Sequence, residues 1–148
     1  MVFRFSLEAL RRLRLAYEKR EHLRLAVLNA EYARLQGRYE DLEAQRGLIF
    51  EQLEERLEEG MTAGEFQISA ALMQPTAQQR NHVRRQMLEL EPQVRKQTAA
   101  YLDSQRKRKI LDSLRERQLR AFELDENRWE QQRMDDLFLL RRFRQFHG

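Results

Sequence analysis

The 148-residue sequence has no cysteine, two prolines, five glycines and one tryptophan. Without cysteine there is no disulfide framework and no thiolate metal site. The scarcity of glycine and proline removes most of the turn chemistry that sheets and loop-rich folds require. No uninterrupted apolar run, Leu137 to Leu140 included, exceeds four residues, far short of a membrane span, and Met1-Val2-Phe3-Arg4-Phe5 is broken by charge before a signal-like core can form. The expectation is a protein that neither spans a membrane nor leaves by the general secretory pathway. The lack of cysteine fits a reducing compartment, although a helical hairpin needs no staples anywhere.

Catalytic signatures are missing as well. His22, His82 and His147 are far apart, and no two have the spacing that would put them on one helical face as metal ligands. There is no glycine-rich phosphate loop and no nucleophile elbow, and two helices side by side would not exclude enough water to tune a carboxylate pair such as Asp135-Asp136. No enzyme activity, cofactor or metal is expected.

What remains is a charged fraction of 35% on a background of Ala, Glu, Leu, Gln and Arg. These residues lose little rotamer freedom in a helix, so the fold class reads as all-α, a long two-stranded antiparallel coiled-coil hairpin. The basic residues are nearly all arginine, the exceptions being Lys19, Lys96, Lys107 and Lys109. Arginine suits carboxylate-rich or phosphate-bearing partners, but a formal net charge of +4 is too small to indicate nucleic-acid binding by charge alone.

Steps of three and four run through Leu25, Leu28, Tyr32, Leu35, Tyr39, Leu42, Arg46, Ile49 and Leu53, a heptad seam with one polar interruption. Phe3, Leu7, Leu10, Leu13 and Tyr17 make a similar stripe in a shifted frame. A first helix over about residues 4–59, some 80 Å long, accommodates both. Gly60 closes it, and Thr62-Ala63-Gly64-Glu65 has the form of a capping box opening a short helix at the tip, with Phe66, Ile68, Ala71 and Leu72, ending before Pro75. A second long helix over about 76–142 carries Val83, Met87, Leu90, Val94, Gln97 and Tyr101 in one frame, with a kink expected at Pro92. Beyond Tyr101 the stripe is irregular, because Arg108, Arg115 and Gln118 stand where a strict seam would be apolar. Residues 143–148 are a tail, and the whole chain is one hairpin.

Charge blocks argue for the same hairpin. Residues 1–24 hold seven basic and three acidic groups, 38–59 three and eight, 80–120 twelve and five, and 121–140 two and six. Folding about residue 68 sets the first block beside the last, and the acidic 38–59 beside Arg80, Arg84, Arg85, Arg95 and Lys96. Exposed pairs of this kind are worth at most about 1 kcal/mol each, so they set register more than stability. In that register, residues after about 136 overhang the start of the first helix.

Three features stay open. The short tip helix either folds back on the hairpin or offers Phe66, Ile68 and Leu72 to a partner. Arg106-Lys107-Arg108-Lys109 is a solvated surface or an anion contact, though its four side chains point about 100° apart and fit no single groove. Phe138-Leu139-Leu140-Arg141-Arg142-Phe143-Arg144-Gln145-Phe146 is disordered, lies at a membrane surface as an anchor too short to hold by itself, or docks in a protein cavity.

Phe3-Arg4-Phe5-Ser6-Leu7-Glu8-Ala9-Leu10, together with Gln118 and Asp125-Glu126-Asn127-Arg128-Trp129-Glu130-Gln131-Gln132-Arg133-Met134-Asp135-Asp136, resembles the FliJ family of flagellar type III export stalk proteins over essentially the whole hairpin. The resemblance implies a two-stranded antiparallel coiled coil, similar to the shaft of rotary ATPases, whose paired termini enter the pore of a hexameric export ATPase. ATP would be hydrolysed by that partner. It further implies contact with the cytosolic domain of the export-gate membrane protein and with certain export chaperones, and a cytoplasmic place at the inner face of the cell membrane at the flagellar base. By position, Glu126, Asn127, Arg128, Gln131, Met134 and Asp135 match the family's C-terminal pattern beside the ATPase, and Leu42 and Leu72 match apolar positions used toward the gate. Competing readings are the equivalent stalk of a virulence injectisome, an Arg-rich helical scaffold binding nucleic acid, and a coil formed by two chains, against which the Gly60–Pro75 segment speaks.

Overall fold

The computed structural model describes residues 1–147 and contains three helices: α1 (Glu8–Glu59), α2 (Ala63–Leu72) and α3 (Gln74–His147). Among the described residues there is no strand. By contact the chain forms two compact units. One is Arg20–Leu102, and the other joins Met1–Lys19 to the chain from Asp103 onward.

In the Arg20–Leu102 unit, α1 and α3 pair antiparallel. Leu35, Leu42, Val83 and Leu90 are buried as one cluster, with Leu28, Tyr32, Tyr39, Met87 and Val94 packed around it. These are the seam positions of the heptad pattern. Polar contacts fix the level: an Arg80 guanidinium nitrogen donates to Glu43 at 2.8 Å, the Tyr32 hydroxyl to Glu91 at 3.4 Å, and the Gln97 amide to both the carboxylate and the backbone carbonyl of Glu21.

The midpoints of the 43–80 and 32–91 pairs fall between residues 61 and 62. The fold-back is therefore about six residues earlier than charge matching around residue 68 suggests. Its cause is local. Gly60 takes φ +102°, a conformation that costs a residue with a Cβ, and its N–H donates to the Leu57 carbonyl at 3.3 Å. Thr62 then caps α2, its hydroxyl accepting from the Glu65 N–H at 3.2 Å.

So α2 does not sit across the tip. It runs back along the end of α1, and its Ser69 and Leu72 line a shallow cleft with Ile49, Gln52, Leu53 and Arg56. Met73 keeps a helical conformation (φ −78°, ψ −21°) while its carbonyl accepts the Ala77 N–H at 3.2 Å, so α3 starts at Gln74 directly from the end of α2. Pro75 lies in its first turn, where a missing N–H leaves no intrahelical bond unmade. Pro92 does not interrupt α3. The Leu88 carbonyl loses its intrahelical donor there, and Leu88 is on the exposed side, where solvent supplies one.

In the unit built from both ends of the chain, the pairing is also antiparallel but the seam is charged. Glu18 accepts from Arg108, Arg108 donates to Asp112 at 2.6 Å, Arg11 donates to Asp112 at 3.3 Å, and Arg11 also donates to Glu8 at 3.1 Å. Phe5 and Leu111 are buried, and the Phe3 ring packs 5.6 Å from Phe122 with the Arg115 guanidinium 5.8 Å above it. Leu7, Leu10, Leu13 and Tyr17, expected to form the inward stripe, are instead 37–50% exposed. The part-buried positions of this stretch of α1 are Glu8, Arg11, Arg14, Leu15 and Glu18, and on α3 Asp112 stands opposite Arg11 and Arg108 opposite Glu18.

Candidate partner-binding surfaces

The Met1 amino group lies 3.5 Å from Glu126, and this is where the contact of the segment preceding α1 with α3 stops. Every residue from Asn127 to His147 is exposed, and α3 remains helical throughout. The unaccompanied helix thus begins about ten residues earlier than the expected position near 136. That shift follows from the earlier fold-back. α3 also stays helical through 143–147, where a separate tail is expected.

This stretch holds most of the candidate ATPase-end residues. Glu126 is half-buried at its root, and Asn127, Arg128, Gln131, Met134 and Asp135 follow on open helix. Asn127, Gln131 and Met134 recur at steps of four and three and so form one face, with Arg128 and Asp135 along its edge. Phe138 extends that face by one more step and is 63% exposed; the same spacing in the sequence points to it. On the other side the Arg133 guanidinium sits 5.6 Å over the Trp129 ring. The face is polar, with one thioether and one ring, and offers amide, carboxylate and guanidinium groups to a partner.

The two candidate gate residues have different surroundings. Leu42 is 4% exposed inside the Leu35–Val83–Leu90 cluster, so it packs the helix pair and presents nothing outward. Leu72 is 68% exposed, one turn after Ile68 at 67%, with Phe66 at 40% nearby on α2. The two leucines are not brought together. Ile68 and Leu72 are the most exposed large apolar side chains of α2, Leu72 at the rim of the cleft toward α1, while the small Ser69 and Ala70 are part-buried. Residues 106–109 divide as the 100° spacing requires: Arg108 turns inward to Glu18, and the Lys107 ammonium lies 3.2 Å from Asp103 on the surface.

The titration of the charged groups follows their contacts. The Arg11 guanidinium holds the Glu8 carboxyl below the usual carboxylate range, and the Gln97 amide, seconded by Arg20 and Arg24, does the same for Glu21. Glu18, with Asp112, strengthens the hold of Arg108 on its proton. Among the described residues no three His, Cys, Asp or Glu side chains gather in a way that could hold a metal ion.

A family model described as the flagellar FliJ protein matches residues 3–146, nearly the full length. The chain belongs to the FliJ family. No curated protein and no solved structure matches it. Membership makes the chain a component of flagellar type III export, associated with the export apparatus. Among the described residues no helix is long and apolar enough to cross a membrane.

Proposed function

We propose that this chain is the central stalk of the flagellar export machinery, binding and activating the hexameric export ATPase through the open part of α3 and linking it to the export gate through α2. The observation that carries this reading is the unaccompanied helix from Asn127 onward, on whose surface lie the residues that resemble the family's C-terminal pattern. A single helix is about 10–12 Å across, narrow enough to enter the opening of a ring. There Asn127, Gln131 and Met134 would face the ring wall, with Glu126, Arg128 and Asp135 completing the contact. Hydrolysis belongs to the ring, and the stalk supplies binding that favours its active arrangement.

For the gate, the exposed apolar pair Ile68 and Leu72 is the contact we assign to the cytosolic domain of the export-gate membrane protein. Leu42 supports that surface from within by holding α1 to α3. Through these partners the chain works in the cytoplasm, peripherally at the flagellar base. Export chaperones are further partners in the same reading.

The test is the ATPase rate of the cognate export ATPase with and without the full chain, and with a Gln131→Ala, Met134→Ala variant. Both side chains are exposed and unpacked, so the variant should melt like the parent while losing most of the stimulation. No stimulation by the parent chain would overturn the ATPase assignment, and full stimulation by the variant would move the contact elsewhere.

A further inference from the structure

The last three turns of α3 differ in chemistry from the stretch before them. Residues 127–136 mix both signs, with Glu130, Asp135 and Asp136 against Arg128 and Arg133. Residues 137–147 contain Arg141, Arg142 and Arg144 and no acidic group. They also carry six large apolar side chains at 50–80% exposure: Leu137, Phe138, Leu139, Leu140, Phe143 and Phe146.

At 100° per residue, Phe146, Leu139, Phe143 and Leu140 fall within an arc of about 120°. Arg142 borders the arc on one side and Arg144 on the other, while Arg141 and Gln145 stand opposite. Leu137 and Phe138 lie outside that arc, and the four apolar groups that face one way, between arginines whose stems can bend back toward water, match the layered polarity of a lipid headgroup region. A helical partner fits less well. A heptad seam continued backward from Phe143 and Leu139 meets Asp136 and Gln132 before it reaches Trp129, so the apolar face is only three turns long.

We infer that residues 137–147 form a short amphipathic helix that docks reversibly on anionic lipid bilayers. The guanidinium groups of Arg142 and Arg144 engage lipid phosphates, Arg141 adds to the local positive charge, and Leu139, Leu140, Phe143 and Phe146 enter the boundary between headgroups and acyl chains. Asp135 and Asp136 set the limit of the contact, since an anionic surface repels them and the helix rises away from it at that point. This goes beyond the stalk reading and does not rest on it, because it concerns the chain alone, before any ring encloses α3.

The experiment is flotation of the full chain with vesicles of phosphatidylcholine alone and with vesicles in which part of it is replaced by phosphatidylglycerol. Binding should be roughly tenfold or more stronger on the anionic vesicles and should fall with added salt. An R141E, R142E, R144E variant should lose that preference, and a Phe143→Ser, Phe146→Ser variant should lose binding to both. Neither change touches a core residue, so both variants should keep the parent's melting curve. Equal binding to both vesicle types, or anionic binding kept by the tail variants, would overturn the inference. So would tail variants that leave lipid binding unchanged and instead alter the sedimenting mass, which would assign the face to a second copy of the chain.

Discussion

Gly60 and Gly47 show how one residue type serves opposite ends. Gly60 holds φ +102° at the fold-back, so Gly60→Ala should lower stability by about 1–2 kcal/mol although space for a methyl group is open. Gly47 lies in the interior of α1 with nothing within 4 Å of an added Cβ, and Gly47→Ala should stabilise by up to about 1 kcal/mol. Thermal melts followed by circular dichroism would read both, and equal signs would refute the assignment of the turn to Gly60. Leu42 and Leu72 form a second contrast. Leu42→Ala removes buried volume beside Val83 and Leu90 and should cost about 2–5 kcal/mol, whereas Leu72→Ala on the open face of α2 should stay within about 0.5 kcal/mol. Should export or gate binding fall in the Leu72 variant with its stability intact, the exposed face is the contact. If only the Leu42 variant fails, the defect is one of folding.

At the scale of the elements, the apolar seam of residues 25–53 with 83–101 was legible in the sequence, as were the Thr62 cap and the continuation of α3 through Pro92. Periodicity failed nearer the termini for a physical reason. A stripe of leucines reads as a core only if nothing competes, and here Arg11 and Glu18 compete for the inward positions because Asp112 and Arg108 meet them. One sequence read alone does not reveal which charges will face each other until the register is known, and the register depends on Gly60 and on α2 folding back. The Arg108–Glu18 contact should therefore govern this pairing. Side chains of Arg108 and Glu18 are only 22% and 12% exposed, and Arg108→Ala leaves the carboxylate poorly solvated, at a cost of about 1–3 kcal/mol. Replacing both residues with leucine should restore stability or raise it, since an apolar pair carries no desolvation penalty. Chemical denaturation of the single and double variants tests this, and a double variant no better than the single would show that the ion pair is not a substitute for an apolar step.

For the molecule as a whole, the contrast in seams predicts uneven local stability. The Arg20–Leu102 unit closes on buried leucines and valine, which neither salt nor acid weakens much, while the other unit closes on ion pairs with few buried apolar groups. Amide hydrogen exchange should be slowest around Leu35, Leu42, Val83 and Leu90, faster along residues 8–19 and 103–122, and fastest from Asn127 to His147, where no packing opposes opening. Acid should widen the first gap. Glu8 has its folded-state pKa depressed by Arg11, so its contribution is complete above the unfolded value of about 4.3 and is lost as the pH falls through the lower folded value. Glu21 behaves alike through Gln97 and ties the acid response to the border of the apolar unit as well. Exchange measured at neutral pH and again below about 4, corrected for the intrinsic rate at each pH, should show protection falling first in residues 8–19 and 103–122. Uniform loss across both seams would mean that the ion pairs contribute no more than surface charges do. A selective loss would identify the charged seam as the part of the fold that opens most readily beside the partner-binding stretch of α3.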